Sequence, residues 1–447
     1  MMQSGSKALV LGLGDSGEAA AALLQAEGMQ VTAIDKADSP ELRARAQRLQ
    51  GLGARVLLGA AGVPDGAFDL CVVSPGVPVA SPWIADMSRR AVPVVSELEL
   101  GWSRRTGRTV AITGSNGKST AVKWFAESLQ QAGLKAAPVG NYGPAVSKVV
   151  RERRDLDWLV LEVSSFQLET VRDFRPEVGI LLNINPNHLD RHGDLPTYAR
   201  MKARLFSRTT EKDVCIVHES LAAAVRPLAG GRGVWRTFGS TAAADYRYEA
   251  GRITREGKVL ADVGGTYFGN EILGVTAAAV VAGIEACGAD AGCVVRAARA
   301  FEPLPHRTEL VAEFSGVRFI NDSKATNLSA MSAALRMSPG RVRLIAGGLV
   351  KEKDFGFVKE LLAEKVLGVY LIGLATEAMA SAWSDVVPCF RCGTLDVAVR
   401  RARADARAGE TVLLSPATAS FDQFRNFEER GQRFAQLVKD LAEEEAA

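Results

Sequence analysis

Short apolar runs separated by helix-like segments recur along most of the chain, a pattern typical of α/β proteins with mostly parallel sheets. Near the N-terminus, apolar runs at 8–11, 30–34 and 68–73 predict strands, and an alanine-rich stretch predicts a helix after the first of them. The intervening residues 12–17 read Gly-Leu-Gly-Asp-Ser-Gly, and Asp35 follows the second strand. This order is typical of a dinucleotide-binding βαβ unit, in which the acidic residue meets a ribose hydroxyl. The alternative is a glycine-rich turn without a ligand.

The same alternation appears twice more along the chain. In the middle of the chain it predicts strands at 109–112, 156–163, 178–184 and 213–217, hairpins within 235–268, and an alanine-rich helix at 275–286. After a proline-marked linker at 301–305, it predicts strands at 317–320, 342–346, 366–372 and 411–414, a helix at 327–337 and a C-terminal helix. We therefore expect an α/β protein with three domains: a Rossmann-like domain at 1–98, a central P-loop ATPase-like domain at 99–303, and a Rossmann-like domain at 304–447.

The most informative stretch is residues 111–120, which read Ala-Ile-Thr-Gly-Ser-Asn-Gly-Lys-Ser-Thr. A predicted strand runs into a loop containing Gly114 and Gly117, and a helix-like segment follows Lys118. Glycines let backbone N–H groups surround phosphate oxygens, lysine reaches the β- and γ-phosphates, and a serine or threonine hydroxyl binds Mg²⁺. Only two residues separate the glycines here, instead of the usual four. The pattern still predicts a nucleoside triphosphate site.

Candidate metal ligands lie at other predicted strand ends of the central segment. Glu162 ends an apolar strand, where a carboxylate is poorly solvated unless it meets a cation. Residues 185–192, Asn-Pro-Asn-His-Leu-Asp-Arg-His, offer oxygen and imidazole ligands for Mg²⁺ or Mn²⁺, or else form a capped loop with one packed histidine. Lys202 lies in a predicted helix, and the sequence alone favours a surface lysine or a phosphate contact there.

The last segment places cationic and hydroxyl groups at several predicted strand ends. Residues 321–327, Asn-Asp-Ser-Lys-Ala-Thr-Asn, follow one strand and open a helix, while 415–420 follow another strand. Arg307 lies at the linker, where an arginine can reach a γ-phosphate when domains close, and Lys351 follows a pair of glycines. Each could be an ordinary turn, but together they suit an anionic amino-acid substrate.

Composition narrows the class of protein. The formal net charge is +3, from 54 basic and 51 acidic residues, so there is no general signal for nucleic acid or for a membrane surface. Six scattered cysteines form no disulfide framework, and Cys389 and Cys392 lack the second ligand pair of a zinc site, which favours a structural pair. Glycines interrupt the longest apolar run, and no signal peptide is visible. We expect a cytoplasmic enzyme without a membrane span.

Five sequence blocks together resemble the Mur ligase family: 111–120, 161–169 (Leu-Glu-Val-Ser-Ser-Phe-Gln-Leu-Glu), 304–307 (Leu-Pro-His-Arg), 320–327 and 414–424 (Leu-Ser-Pro-Ala-Thr-Ala-Ser-Phe-Asp-Gln-Phe). The resemblance runs nearly end to end, and the second and fourth blocks are most like the D-glutamate-adding branch. It implies an ATP-dependent ligase that joins D-glutamate to UDP-N-acetylmuramoyl-L-alanine through an acyl phosphate, in peptidoglycan precursor synthesis. It also implies a monomer with small-molecule substrates and no nucleic-acid partner.

The resemblance further implies roles for individual residues. ATP would be held by Gly114, Asn116, Gly117, Lys118, Ser119, Thr120, Arg307 and Asp322. Two Mg²⁺ ions, with Mn²⁺ as an alternative, would be held by Ser119, Glu162, His188 and a carbamylated Lys202, and the catalytic residues would be Lys118, His188 and Lys202. The other substrates would contact Asp15, Ser16, Asp35, Gly76, Asn141, Ser164, His306, Lys324, Thr326, Lys351, Ser420 and Phe427. Carbamylation needs a neutral amine, so this role requires a low pKa at Lys202 and replaces the surface interpretation.

One block departs from the family pattern, and other functions remain open. The family has a His-Asn-x-x-Asn block before the alanine-rich helix, whereas the matching stretch here, 270–274, reads Asn-Glu-Ile-Leu-Gly. The adenine contact is therefore left unassigned. Alternatives within the enzyme class are a sibling Mur ligase or a folylpolyglutamate synthase. A nucleotide-binding regulator and a nicotinamide dehydrogenase, the latter suggested by the first domain alone, are alternatives from other classes.

Overall fold

The computed structural model describes residues 5–350 and 354–446. The chain forms two compact units, one ending at Phe301 and the other beginning at Glu302. The first unit contains two sheets and the second contains one, and most strand pairs in all three are parallel. The predicted fold class, an α/β protein with mostly parallel sheets, is therefore confirmed. In the described part of the chain, no helix combines the length and hydropathy needed to cross a membrane.

The first sheet is entirely parallel, with the strand order β3-β2-β1-β4-β5. Its strands are β1 (Lys7–Leu11), β2 (Gln30–Ile34), β3 (Arg55–Leu57), β4 (Leu70–Val73) and β5 (Val94–Ser96). The helices that accompany them are α1 (Asp15–Ala26), α2 (Pro40–Gly51), α3 (Pro82–Arg89) and α4 (Glu97–Ser103). Because the carboxyl ends of parallel strands lie at one edge, the loops after β1, β2 and β4 meet there. Sequence reasoning missed β3 and β5, which span only three residues each.

Gly17 sits where α1 passes closest to the loop that precedes it. A Cβ atom at this position would lie 1.8 Å from the carbonyl oxygen of Gly12, a distance that no relaxation of a side chain could relieve. Gly17→Ala is therefore expected to destabilise the protein by roughly 2–3 kcal/mol, measured by denaturant unfolding. Gly14→Ala is the matched control, because a Cβ at Gly14 meets nothing within 4 Å. Equal stability of the two variants would contradict the close approach.

The second sheet has the strand order β14-β13-β12-β11-β10-β9-β6-β8-β7. Its strands are β6 (Arg108–Thr113), β7 (Ala136–Gly140), β8 (Trp158–Glu162), β9 (Val178–Leu181), β10 (Val214–His218), β11 (Val234–Gly239), β12 (Tyr246–Glu249), β13 (Arg252–Arg255) and β14 (Lys258–Asp262). Only the pairs β12–β13 and β13–β14 are antiparallel, so hairpins occupy part of the predicted region and β11 pairs in parallel. The helices are α5 (Lys118–Gln131), α6 (Val146–Glu152), α7 (Ser165–Leu168), α8 (Leu189–His192), α9 (Leu195–Ala203), α10 (Ala222–Ala229), α11 (Glu271–Ala286) and α12 (Gly292–Arg299).

The start of α11 explains the departure from the family pattern at residues 270–274. Asn270 caps the helix, since its side-chain oxygen accepts hydrogen bonds from the N–H groups of Ile272 at 3.1 Å and Leu273 at 3.0 Å. At Gly274 a Cβ would lie 2.2 Å from the ring of Tyr248. An asparagine side chain does not fit at Gly274 unless that ring moves. The amide that the family pattern places there is thus replaced by tight helix–strand packing.

Glu97 is a buried carboxylate in the first turn of α4. One carboxylate oxygen accepts a hydrogen bond from the N–H of Ser147 at 2.6 Å, and the other has no partner. Burial raises the pKa of Glu97 to about 7, although the Ser147 contacts oppose the shift. Because the pKa of Glu97 is higher in the folded protein than in the unfolded chain, protonation of Glu97 stabilises the folded state. This stabilisation is complete below the pKa of the unfolded chain and is lost as pH rises through about 7.

Glu97→Gln is expected to remove this pH dependence, because glutamine resembles the protonated acid at every pH. The variant should match the wild type near pH 4, below the unfolded pKa of 4.5, and be more stable at pH 8, by a few kcal/mol at about 1.4 kcal/mol per pKa unit. Urea unfolding across this range measures the difference. Parallel stability curves for the two proteins would show that Glu97 does not titrate in this way.

The third sheet has the strand order β15-β16-β20-β17-β18-β19, with only β15 antiparallel. Its strands are β15 (Glu309–Phe314), β16 (Val317–Asn321), β17 (Val342–Gly347), β18 (Val366–Ile372), β19 (Cys389–Gly393) and β20 (Thr411–Leu414). Its helices are α13 (Leu328–Met337), α14 (Lys359–Lys365), α15 (Thr376–Trp383), α16 (Leu395–Asp405) and α17 (Phe427–Ala446). The ends of β16, β17 and β20 lie side by side, so the loops that follow them form one edge.

The Cys389–Cys392 pair lies on β19, at the edge of this sheet. Cys389 packs against the hydrophobic core that contains Trp383, whereas Cys392 packs against the core that contains Phe434. Successive residues of β18 alternate between these two cores, so the cores occupy opposite faces of the sheet. All six cysteines lie in described segments and are free thiols. This arrangement agrees with a structural pair.

Candidate active site

The glycine-rich loop at 114–117 joins β6 to α5. Gly117 caps α5 with a φ of 80°, in the left-handed region that favours glycine. The Nζ atom of Lys118 curls back over the loop and donates hydrogen bonds to the carbonyl oxygens of Gly114 at 2.8 Å and Ser115 at 2.9 Å. The N-terminus of a fourteen-residue helix and a lysine ammonium thus meet at one point. Both favour an anion there.

Two asparagines beyond β9 anchor this loop. The side chain of Asn183 accepts a hydrogen bond from the N–H of Asn116 at 2.9 Å and donates one to its carbonyl oxygen at 3.1 Å. Ser115 and Asn185 exchange a second pair of bonds, with the serine hydroxyl accepting at 2.8 Å and donating at 3.0 Å. Sequence reasoning did not assign Asn183 or Ser115, because their partners lie about seventy positions apart. The loop is held in shape before any ligand arrives.

Lys202 is buried beneath the same loop, with 1% of its surface exposed. Its Nζ donates a hydrogen bond to the Gly114 carbonyl oxygen at 2.9 Å and lies 4.6 Å from the centre of the Tyr198 ring. The interpretation of Lys202 as a surface lysine is therefore wrong. Burial, reinforced by the nearby positive charge of Lys118, lowers the pKa of Lys202 well below its ordinary value. Two lysine side chains converge on one carbonyl oxygen, and the buried one favours the neutral amine.

Glu162 ends β8, directly beside β6 in the sheet. Its side chain is buried, and one carboxylate oxygen accepts a hydrogen bond from the Asn141 side chain at 2.7 Å. The other oxygen is buried without a hydrogen-bond partner. A buried carboxylate oxygen without a donor is costly unless a cation binds it, so this residue fits a Mg²⁺ ligand.

The residues implied as metal ligands include one carboxylate, Glu162, and one imidazole, His188. Within residues 5–350 and 354–446, no group of three or more histidine, cysteine, aspartate or glutamate side chains is placed to hold a metal ion. Mg²⁺ in nucleotide sites binds one or two carboxylates and completes its shell with phosphate oxygens and water. The single carboxylate of Glu162, with the hydroxyl of Ser119 at the helix start, matches that mode of binding.

His188 lies in the loop before α8 and adopts a left-handed backbone, with a φ of 55°. Its ring packs edge-on against Phe166, with 4.7 Å between ring centres. Three residues later, Arg191 pairs with Glu169 and donates hydrogen bonds to the carbonyl oxygens of Pro75 at 3.0 Å and Val77 at 3.4 Å. Arg191 therefore ties the His188 loop to the loop after β4. Sequence reasoning missed this arginine, since its backbone partners are more than a hundred residues away.

The residues expected to hold the nucleotide-sugar substrate fall at the carboxyl edge of the first sheet. The carboxylate of Asp35 accepts hydrogen bonds from the N–H groups of Leu13 at 2.7 Å and Ala37 at 2.9 Å, so it shapes the glycine-rich loop. Asp15 begins α1 and forms an exposed ion pair with Arg45 at 2.6 Å. The neighbouring Ser16 is half-buried, and Gly76 is exposed in the loop held by Arg191. The structure brings these four residues to one edge of the sheet.

Ser164 and Asn141 flank Glu162 in the second sheet. Ser164 caps α7, and its hydroxyl accepts a hydrogen bond from the N–H of Gln167 at 3.2 Å in a reciprocal capping box. Asn141 follows β7 and donates to Glu162 as described above. Ser164 is thus committed to holding a helix terminus, whereas Asn141 points at the candidate metal ligand.

In the second compact unit, Asp322 and its neighbours form a buried polar group after β16. The Asp322 carboxylate accepts hydrogen bonds from the Ser415 hydroxyl at 2.8 Å and the Thr308 N–H at 3.1 Å. Burial raises the pKa of Asp322 to about 7, although these bonds and the charge of Arg307 oppose the shift. Asp322 and the half-buried Arg307 therefore lie in one electrostatic neighbourhood.

Two of the remaining predicted residues of this unit, Lys324 and His306, lie beside Phe427. The Nζ of Lys324 lies 3.6 Å from the centre of the Phe427 ring, and the His306 ring meets that ring edge-on at 6.2 Å. His306 has a left-handed φ of 62°, and its Nδ1 atom lies 2.9 Å from the side-chain nitrogen of Asn321. Thr326 is half-buried and Ser420 is buried in neighbouring loops. Lys351 lies outside the described residues.

Comparison with models of known protein families identifies the family to which this chain belongs. Three family models match successive parts of the chain: a Mur ligase MurD-like N-terminal domain at 6–96, a Mur ligase middle domain at 112–265, and a Mur ligase glutamate ligase domain at 306–418. The chain belongs to the Mur ligase family. The family predicted from the five sequence blocks is therefore confirmed. This Mur ligase is an ATP-dependent ligase of peptidoglycan precursor synthesis, which leaves no support for the regulator and dehydrogenase alternatives.

Several relatives match this Mur ligase over nearly its full length. A UDP-N-acetylmuramoylalanine–D-glutamate ligase from Acidobacterium capsulatum is 39% identical over 456 residues, covering 98% of the chain and 97% of the relative. A protein of the same name from Solibacter usitatus is 38% identical over 445 residues, covering 99% of each chain. Among solved structures, UDP-N-acetylmuramate-alanine ligase from Thermotoga maritima has a TM-score of 0.61 and 16% identity, covering 97% of this chain and 99% of its own. That structural likeness supports the three-domain fold.

Proposed function

We propose that this Mur ligase joins D-glutamate to UDP-N-acetylmuramoyl-L-alanine with hydrolysis of ATP to ADP and phosphate. The full-length relatives carry the name of that ligase. The main structural support is that Lys118 and Lys202 both donate hydrogen bonds to the Gly114 carbonyl oxygen. This oxygen lies in the phosphate loop, just before the helix that follows it. Lys118 and the N-terminus of the helix place positive charge where a γ-phosphate would lie, and the neutral amine of Lys202 lies beside them.

The proposed reaction has two chemical steps. The alanine carboxylate of the nucleotide sugar attacks the γ-phosphorus of ATP, and the bond from that phosphorus to the ADP oxygen breaks. The amine of D-glutamate then attacks the carbonyl carbon of the acyl phosphate, inorganic phosphate leaves, and the amine loses a proton. Lys118 exchanges its loop carbonyls for phosphate oxygens and neutralises charge in the first step. Gly114, Asn116, Gly117, Ser119 and Thr120 complete the phosphate cradle.

We assign the metal ligands to Ser119, Glu162, His188 and carbamylated Lys202, with two Mg²⁺ ions or Mn²⁺ in their place. When bound, the metal would supply charge neutralisation at the phosphate oxygens. The unpartnered oxygen of Glu162 supports its part in this set. Burial of Lys202 supports the neutral amine that adds to CO₂, forming a carbamate and releasing a proton.

The substrate contacts are assigned from the family resemblance, residue by residue. Asp15, Ser16, Asp35, Gly76, Asn141 and Ser164 serve the nucleotide sugar, and Arg307 and Asp322 serve ATP. His306, Lys324, Thr326, Lys351, Ser420 and Phe427 serve D-glutamate. The same proposal includes domain bounds at 1–98, 99–303 and 304–447, a monomeric state and a cytoplasmic location.

Phosphate release tests this function. Release from ATP is measured with UDP-N-acetylmuramoyl-L-alanine and with D-glutamate, L-glutamate or L-lysine as the amine. We expect release that requires both the nucleotide sugar and D-glutamate. Stimulation by another amine alone would reassign the chain to a sibling branch of the family, and release that needs no amine would contradict the ligation.

A further inference from the structure

Arg430 is a fully buried arginine on α17, with 1% of its surface exposed. Its Nε atom donates a hydrogen bond to the Ser323 hydroxyl at 3.0 Å. Its Nη2 atom donates to the carbonyl oxygens of Ser323 at 2.9 Å and Thr418 at 3.1 Å. The Nη1 atom is buried without a hydrogen-bond partner. An ordinary core position would not hold a guanidinium so deep with one nitrogen unsatisfied, because burying such a group is costly.

The contacts of Arg430 reach three separate loops at one sheet edge. Ser323 lies between Asp322 and Lys324 in the loop after β16, and Thr418 lies in the loop after β20. At Gly348, in the loop after β17, a Cβ would lie 3.2 Å from Nη1. The loops after β17 and β20 also pair directly, since the Leu349 N–H donates to the Ala419 carbonyl oxygen at 2.8 Å. One planar side chain therefore holds the framework from which Lys324 and Ser420 project.

The chemistry of these contacts requires the arginine fork. Arg430 bonds mainly to backbone and hydroxyl oxygens, and the carboxylates of Asp322 and Asp422 act on it only as more distant charges. Burial lowers the pKa of Arg430 to about 10, opposed by those carboxylates. A lysine ammonium carries its three N–H donors on one nitrogen, so it lacks the planar fork whose separate Nε and Nη2 atoms reach Ser323 and Thr418. Arg430 thus acts through the planar shape of its guanidinium group as well as through its positive charge.

We propose that Arg430 is a positioning residue for the amino-acid substrate, holding the loops of Lys324 and Ser420 at a fixed separation. This inference rests on the proposed function, which assigns those two residues to D-glutamate. Asp322 has independent support from Ser415 and Thr308, so the ATP contact does not depend on Arg430. Loss of Arg430 should therefore raise the KM for D-glutamate and leave the KM values for ATP and the nucleotide sugar nearly unchanged.

The test measures KM for each substrate, kcat and the unfolding midpoint in Arg430→Met and Arg430→Lys. Both variants are expected to raise the KM for D-glutamate by about tenfold or more, with the KM values for ATP and nucleotide sugar changed by less than about twofold. Arg433→Met is the matched control, because Arg433 lies one turn further on α17 and pairs on the surface with Asp396. It should leave all three KM values unchanged.

Other outcomes would overturn the inference. A lowered unfolding midpoint with unchanged KM for D-glutamate, or an equal rise in all three KM values, would show that Arg430 is merely structural. If the Arg430 variants do not fold, Ser323→Ala removes the hydroxyl that accepts from Arg430 and donates to the Phe427 carbonyl oxygen. An unchanged KM for D-glutamate in that variant also overturns the inference. If D-glutamate does not stimulate phosphate release by the wild-type enzyme, the proposed function is wrong. The same variants are then titrated with the amine that it accepts, where a selective rise in KM still supports Arg430.

Discussion

Lys118→Ala is expected to lower kcat by roughly 10³-fold while leaving the unfolding midpoint nearly unchanged. The lysine ammonium donates hydrogen bonds to two carbonyl oxygens of its own loop, and the side chain of Asn183 also holds that loop. Its removal therefore takes away charge at the γ-phosphate without dismantling the loop. Steady-state phosphate release and thermal unfolding measure the two quantities.

Lys123→Ala provides the matched control for Lys118. Lys123 lies on the same helix, pairs with Glu127 at 2.6 Å and sits over the Phe301 ring. Its loss should change kcat by less than about twofold, since its partners are Glu127 and the Phe301 ring and not the phosphate loop. Wild-type activity in Lys118→Ala would refute the assignment of the phosphate loop.

Lys202→Met is expected to lower kcat by roughly 10²-fold or more, and to raise the stability of the protein in CO₂-free buffer. Burial lowers the pKa of Lys202, so the folded state binds this proton less readily than the unfolded chain does. Between the lowered pKa and 10.5, wild-type stability therefore rises with pH. Methionine has similar length and no charge, so the variant should lack this rise and be the more stable protein at neutral pH.

Urea unfolding at neutral and alkaline pH measures the stability difference, and ¹³C NMR after exposure to labelled CO₂ detects the carbamate. We expect a carbamate signal in the wild type that is absent from Lys202→Met. A variant that is less stable than the wild type at neutral pH would contradict the account of the buried amine. A variant with full activity would remove Lys202 from the metal ligands.

Local sequence was enough to predict the strands that are buried on both faces and the phosphate loop. The strands β18 and β20 have the predicted bounds, because each is a mostly apolar, buried run between polar turns. The bounds of β2 were also predicted, although Gln30 is exposed and Thr32 is half-buried. The edge strands β15 and β19 were missed, since they are half-exposed and mix polar with apolar residues. These strands form because they pair with neighbouring strands, and their sequences show no regular alternation of polar and apolar residues.

The candidate site divides in the same way. Lys118 and Glu162 could be singled out because a glycine-rich loop and a carboxylate at the end of an apolar strand are local signals. Arg191 and Arg430 could not, since each has partners more than a hundred residues away and an isolated arginine in a helix resembles a surface residue. Lys202 required the family resemblance, because its burial arises only when α9 packs beneath the phosphate loop.

The most direct test of the account follows one oxygen atom through the reaction. UDP-N-acetylmuramoyl-L-alanine labelled with ¹⁸O in its alanine carboxylate is incubated with enzyme, ATP and D-glutamate, and the released phosphate is analysed by mass spectrometry. Because the carboxylate oxygen becomes the bridge of the acyl phosphate, the released phosphate should carry the label. The labelled phosphate and the new amide should form at the same rate. Unlabelled phosphate, or labelled phosphate without an amide product, would contradict the account.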